Sequence, residues 1–329
     1  MLALSRSDLK TLVPMADAVE LMKVAFRELS AGRAQAPVRS SLPVNDDPSA
    51  MLMMPGFVPA NGALGFKTVN FFAGNPKRGL PTIHAIVCLI DPDNGIPMAV
   101  MEGGYVTALR TGAVSGAATD LMARPDSATL TVIGAGVQGV TQAAAVCAVR
   151  PIERIIGVDV SEEQLSRFRA AMAEDWPDLA GMVETTTDAS SAVKAADVIC
   201  TATIARRAVF DDADLKPGTH INAVGAFTPE MQEVPVATCG RARIVVDNFD
   251  AVMEEAGDLL MAIAAGVISE DDLHLELGHV VEDSAKGRAD DEEITFFKSV
   301  GNAVQDVVVA RFAVDAARAS GVGQEINLL

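Results

Sequence analysis

Basic residues are scarce in this chain: 329 residues hold 26 lysines and arginines against 44 aspartates and glutamates, a formal net charge of −18. A nucleic-acid backbone calls for a basic footprint, so that class of partner is excluded, and anionic membrane surfaces are disfavoured for the same reason. Cysteine is sparse too. Cys88, Cys147, Cys200 and Cys239 lie far apart and form no C-x-x-C pair, which predicts reduced thiols in a cytosolic protein. No apolar run approaches the ~18 residues of a membrane span. Met1–Lys10 carries Arg6, Asp8 and Lys10 and has no apolar stretch of the secretory type, so a cytoplasmic location is expected. His274 and His279 are five apart, not the four that places two ligands on one helix face, and no metal site emerges.

Half of the residues are hydrophobic, enough for full cores in about two domains. From Asp8 to Ser30 the second half has helical spacing (Ala18, Leu21, Met22, Ala25, Phe26, Leu29), with Asp17 as a candidate cap and Gly32 closing the pattern. Short strands follow at Met51–Met54, Ala63–Phe71, Thr82–Ile90 and Pro97–Met101, with turns expected at Pro55-Gly56, Asn61-Gly62, Arg78-Gly79 and Asp91–Gly95. Gly104–Met122 reads as a helix rich in Ala and Gly, a composition that suggests close backbone approach. After Arg124-Pro125-Asp126-Ser127 apolar strands alternate with helices, the mark of a parallel sheet covered on both faces. A final strand, Ile294–Ser299, and a helix, Val304–Ala319, close the chain. That last helix is expected to return to the first domain. The expected architecture is α/β, with a Rossmann-type domain over 124–303 inserted into a discontinuous α+β domain of 1–123 plus 304–329.

One motif carries direct chemistry. The strand Leu130–Ile133 runs into Gly134-Ala-Gly136-Val137-Gln138-Gly139 and then a helix. Gly134 permits the tight turn, Gly136 lets the backbone approach a pyrophosphate, and Gly139 lets helix pack on strand. The helix N-terminus offers N–H groups and partial positive charge to phosphate. The second strand ends at Asp159, about 20 residues on, where a carboxylate accepts ribose hydroxyls and repels a 2′-phosphate. NAD(H) is the cofactor expected. NADP(H) is the alternative, should Arg206 or Arg207 override the acid.

Further segments extend the pattern: Gly79-Leu-Pro-Thr-Ile-His-Ala85, Ala108-Leu-Arg-Thr-Gly-Ala113, His220-Ile-Asn-Ala-Val-Gly225, Asp291-Glu-Glu-Ile-Thr-Phe-Phe-Lys-Ser299 and Asn302-Ala-Val-Gln-Asp306. With these the chain resembles the ornithine cyclodeaminase/μ-crystallin family over essentially its whole length. The resemblance implies a dinucleotide domain paired with a discontinuous domain that binds substrate and forms a homodimer. Residue by residue, it implies that Arg39 and Lys67 hold a substrate carboxylate, with Lys67 beside the reacting nitrogen as the catalytic group. Arg110 matches an arginine between cofactor and substrate, and Thr82 a threonine at the cofactor. Val137, Gln138, Asp159, Thr201, Val224, Gly225 and Ser299 match positions around NAD, and Val300 one beside the substrate. Arginine suits this work because its planar fork meets a carboxylate bidentately.

One departure narrows the function. The cyclodeaminase pattern has an aspartate two residues beyond the glycine of Asn222-Ala-Val-Gly225, and here that position is Phe227. A phenyl ring neither accepts a proton nor pairs strongly with an ammonium. Glu230 lies nearby at the wrong spacing, and His84, two residues after Thr82, is a possible proton donor or a wall residue. The expectation is an NAD(H)-dependent reductase of small cyclic ketimino acids, yielding proline or pipecolate. The alternatives are ornithine cyclodeaminase, an alanine dehydrogenase-type enzyme, or a catalytically quiet binding protein.

Overall fold

The computed structural model describes residues 1–44 and 49–327, and its chain divides into two units, 1–110 with 302–329 and 111–301. The first unit, whose Leu328 and Leu329 lie outside the described residues, runs β1 (Leu2–Leu4), α1 (Arg6–Leu12), α2 (Met15–Ser30), β2 (Ser40–Pro43), β3 (Ala50–Val58), β4 (Ala63–Phe71), β5 (Ile83–Ile90) and β6 (Pro97–Glu102). Helix α3 (Gly103–Met122) spans the boundary between units. The second unit adds β7 (Thr129–Ile133), α4 (Val137–Cys147), β8 (Arg154–Val158), α5 (Glu162–Asp175), β9 (Val183–Thr186), α6 (Ala189–Ala195), β10 (Val198–Thr201) and β11 (His220–Ala223). It continues with α7 (Val236–Cys239), β12 (Arg243–Val246), α8 (Phe249–Glu255), α9 (Gly257–Ala264), α10 (Leu277–Glu282) and β13 (Thr295–Lys298). The chain then re-enters the first unit with α11 (Ala303–Ser320) and β14 (Gln324–Glu325).

The first unit's sheet has the order β14-β1-β6-β5-β4-β3-β2 and is antiparallel except between β1 and β6. Its register aligns Met54, Lys67, Val87 and Met101 in one row across β3, β4, β5 and β6, and all four are buried. Helix α11 packs against β3 and β4, where Val304, Val307 and Val308 meet Val58, Ala63 and Ala25 of α2. The neighbouring row Met53, Thr68, Ile86 faces the other way, and Met53 and Ile86 are exposed.

Two sequence expectations change here. Pro55-Gly56, expected as a turn, lies inside β3, paired with Phe66 and Gly65 of β4. The reason is where the missing N–H would point. Phe57 sends its N–H away from β4 to the Gln35 carbonyl at 2.8 Å, so residue 55, of the same parity, faces that side too. Strand β2 ends its pairing at Met53, leaving no ladder partner for Pro55 to deprive. At the N-terminus Pro14 takes the N-cap position of α2, breaking the segment into two helices, and Asp17 falls in the first turn instead of capping.

In the second unit all strand pairs are parallel, in the order β12-β13-β11-β10-β7-β8-β9. One face buries Leu130, Val132, Ile155 and Val198 under Val140 and Val146 of α4 and Phe168 of α5. The other buries Ile133, Ile156, Ile199 and Ile221 under Val193 of α6 and Leu259 of α9. The near-continuous apolar strands follow from that two-sided burial. The small residues of α3 have the predicted use: a Cβ on Gly112 would run into the Thr141 carbonyl of α4.

Candidate active site

In the second unit, register sets the strand ends side by side. Ile133, Thr201, Ala223 and Lys298 are consecutive partners across β7, β10, β11 and β13, so Gly134, Ala202, Val224 and Ser299 all leave the same edge. Parallel α/β sheets bind their ligands at this carboxyl edge. Gly134 has φ of 101°, a conformation that excludes a side chain, and a Cβ on Gly139 would strike the Gly134 carbonyl. Gly136 is the N-cap of α4 and supplies no side-chain cap, so the first N–H groups of Val137 and Gln138 remain for an external acceptor.

Asp159 fastens the glycine turn as well as ending β8: Oδ2 accepts the Ala135 N–H at 3.1 Å and Oδ1 the Ser161 N–H at 3.0 Å. Each oxygen keeps a further lone pair for a ribose hydroxyl. Among the described residues the buried Thr201 hydroxyl has no hydrogen-bond partner, and the Gln138 side-chain oxygen has none either. Buried polar atoms are rarely left so, and these fit a bound polar group at this edge. A nicotinamide dinucleotide suits the donor set: backbone N–H groups for pyrophosphate, Asp159 for ribose, Thr201 for a further polar atom.

Buried carboxylates brace that edge. Glu233 accepts the Thr203 N–H at 2.6 Å on Oε1, and those of Gly225 and Ala226 at 2.7 and 3.1 Å on Oε2. It thereby ties the loop after β10 to the turn that leads to Phe227, which is 41% exposed. Asp258 accepts the N–H groups of Glu233 and Val234 and pairs with buried Lys298 at 2.7 Å. Burial pushes the Glu233 carboxyl up, Asp258 adds to that, and Lys298 and the Thr203 N–H oppose it. Val300 is buried on the turn after β13, and Glu230 is exposed.

In the first unit the cations converge on one acid. Lys67 of β4, wholly buried, meets Asp306 at 2.7 Å, and Asp306 sits in the first turn of α11. Arg110 of α3 approaches the same carboxylate at 3.2 Å through Nε and donates through Nη1 to Gln305 Oε1 at 2.6 Å. Gln305 in turn accepts the Asn302 N–H at 2.9 Å. Burial above all, then the Arg110 charge and, less strongly, that of Arg39, press the Lys67 ammonium down to about 7, with Asp306 pulling the other way. Arg39, half-buried before β2, therefore acts on the same lysine. Thr82, half-buried, precedes β5, and its carbonyl accepts the Phe72 N–H at 2.9 Å. His84 is exposed and alternates with Ala85 and Val87, so it stands on the sheet face opposite Lys67 and does not join this cluster.

Asp306 and Glu233 escaped the sequence reading. Their signal was indirect: two buried cations in an acidic chain require a counter-ion, and Asp306 lies in the segment already singled out at Asn302–Asp306.

The glycine turn, the uncapped helix and the acid at the next strand end define a Rossmann-type dinucleotide-binding fold, joined in one chain to a unit with a buried Lys–Arg–Asp cluster. The model of the ornithine cyclodeaminase/mu-crystallin family matches residues 1–321, and the chain belongs to that family. The chain is similar to the Δ1-pyrroline-2-carboxylate reductase of Bacillus cereus, 40% identical over 328 residues, covering 99% of this chain and 100% of the relative. Among solved structures it is similar to Thermococcus litoralis Δ1-pyrroline-2-carboxylate reductase in complex with NADH and L-proline. That match has a TM-score of 0.93 at 39% identity over 99% of this chain and 100% of the other. An archaeal alanine dehydrogenase dimer with bound NAD matches with a TM-score of 0.90 at 34% identity, over 100% and 99%.

Proposed function

We propose that this protein is an NAD(H)-dependent reductase of small cyclic ketimino acids, converting Δ1-pyrroline-2-carboxylate or its six-membered homologue to proline or pipecolate. The observation that carries the reading is the Lys67–Asp306–Arg110 cluster. Its two cations and one carboxylate leave a net positive charge to meet a substrate carboxylate. The full-length similarity to Δ1-pyrroline-2-carboxylate reductases supports the same substrate class.

When bound, NADH supplies a hydride to the imine carbon. The chain's residues do the rest. Gly134, Gly136, Val137, Gln138 and Gly139 offer backbone and helix-end contacts to the pyrophosphate, Asp159 the ribose contact, and Thr201, Val224, Gly225 and Ser299 further cofactor contacts. Arg39 and Arg110 orient the substrate carboxylate with Lys67. Lys67, poised near neutrality, holds a proton at Nζ that can pass to the ring nitrogen as the C=N bond becomes C–N. Thr82 serves the cofactor, while Val300 and Phe227 give the substrate apolar walls. Phe227 also removes the carboxylate a cyclodeaminase needs for a second amine.

We further propose a cytoplasmic homodimer. Four free cysteines suit a reducing compartment. Leu42, Met53 and Ile86 are exposed on the sheet face opposite α11, an apolar surface suited to a second copy. The alanine dehydrogenase relative is itself a dimer.

Lys67→Ala tests the central role. Turnover of the cyclic ketimine should fall below detection while NADH binding, titrated by nucleotide fluorescence, changes less than about twofold. Loss of NADH affinity instead would assign Lys67 to the dinucleotide.

A further inference from the structure

Asp247 follows β12 and is fully buried, and its carboxylate accepts four hydrogen bonds. Oδ2 takes the Ser299 hydroxyl at 2.7 Å and the N–H groups of Val300 and Gly301 at 3.0 and 2.8 Å, and Oδ1 takes the Asn248 N–H at 2.8 Å. With three N–H groups aimed at it, the carboxylate is an acceptor only, and the hydrogen between Asp247 and Ser299 belongs to the serine. A hydroxyl has one hydrogen. Ser299 Oγ therefore presents only lone pairs to a further partner.

Its place in the sheet says which end of a dinucleotide it meets. The glycine turn leaves β7 and Asp159 ends β8, so the adenosine half lies toward β8. Ser299 leaves β13, on the other side, three strand spacings from β7 through β10 and β11. At about 4.8 Å per spacing that is about 14 Å, the direction in which the nicotinamide half extends.

We infer that Asp247 is a positioning residue which commits Ser299 as an obligate hydrogen-bond acceptor for the carboxamide N–H₂ of the nicotinamide, and so sets the rotation of that amide. A serine free to turn would take either the amide N–H₂ or its C=O. Asp247 removes the second choice, and the Val300 and Gly301 N–H groups on the same oxygen hold the turn in place. The inference rests on the dinucleotide reading above and deepens it.

The test compares binding of NADH with that of the reduced 3-acetylpyridine analogue, in which a methyl group replaces the amide N–H₂ and the C=O is kept. Dissociation constants come from calorimetry, without turnover. Wild type should prefer NADH by about 2- to 13-fold, the span of one net hydrogen bond of about 0.5–1.5 kcal/mol. Ser299→Ala should bring the two constants within about twofold, and Ser299→Thr, which keeps the hydroxyl, should retain the preference. An unchanged preference in Ser299→Ala would overturn the inference, and so would equal affinities in wild type, since a serine that donates to the C=O binds both nucleotides alike. Asp247→Ala removes the acceptor and leaves the Ser299 hydroxyl free to turn, so the preference should vanish there too if the variant folds. A preference retained in folded Asp247→Ala would remove Asp247 from the account. Should wild type bind neither nucleotide, the cofactor reading itself fails, an outcome separate from these.

Discussion

Replacing Asp306 with Asn removes a carboxylate that both Lys67 and Arg110 contact, and the consequence is readable as a displaced pH profile. In the intact protein Lys67 titrates at about 7 because burial and the Arg110 charge act against its ammonium form, while Asp306, 2.7 Å away, supports it. Removing an opposite charge at this range lowers a lysine pKa by about 1–3 units. At pH 7 the cationic fraction then drops from about one half to between about one tenth and one thousandth, so kcat/KM for ketimine reduction falls about 5- to 500-fold. The sign is what distinguishes this from simple damage. Wild-type kcat/KM should be high below about pH 7 and fall as Lys67 loses its proton, whereas in Asp306→Asn the fall moves to lower pH and activity recovers on acidification toward pH 5. Stability suffers as well, since breaking a buried ion pair costs about 3–5 kcal/mol when the remaining charge is trapped. Lys67 can shed its proton, which limits the loss at neutral pH and above. The assay is NADH oxidation at 340 nm across pH 5–9, with melting followed in parallel. A variant profile that superimposes on wild type after scaling would refute the reasoning.

Asp159 should make NADH the better cofactor, with kcat/KM for NADPH at least about tenfold lower, because a 2′-phosphate meets its charge; Asp159→Asn should narrow the gap, and equal use of both cofactors by wild type would assign the 2′ side to Arg206 or Arg207. Phe227→Asp should lower ketimine reduction and raise ammonia release from L-ornithine, by roughly the one to two decades that a charge-assisted hydrogen bond to an ammonium provides. Ammonia assays on variant and wild type check this, and an unchanged ornithine reaction would separate position 227 from amine recognition.

What the sequence made legible was local. The glycine turn, the strand before it and the acid at Asp159 are set by spacing within some thirty residues, and the structure keeps all three in their expected elements. Strand β3 is not legible through Pro55, because the harmlessness of that proline depends on where β2 stops pairing, a fact of another strand. The braces were harder still. Asp306 finds Lys67 across 239 residues and Asp247 finds Ser299 across 52, and nothing in either stretch of sequence marks an acid as buried. In a chain with 44 acidic residues, only packing distinguishes the few carboxylates that hold a site together from those on solvated surfaces.

The most direct measurement sets two substrates side by side with the same protein: Δ1-pyrroline-2-carboxylate with NADH, followed by absorbance and proline formation, and L-ornithine with NAD⁺, followed by ammonia and proline. The account predicts rapid NADH consumption matched mole for mole by proline in the first, and ammonia release at least about tenfold slower in the second. Ammonia release from ornithine that equals or exceeds ketimine reduction would contradict it.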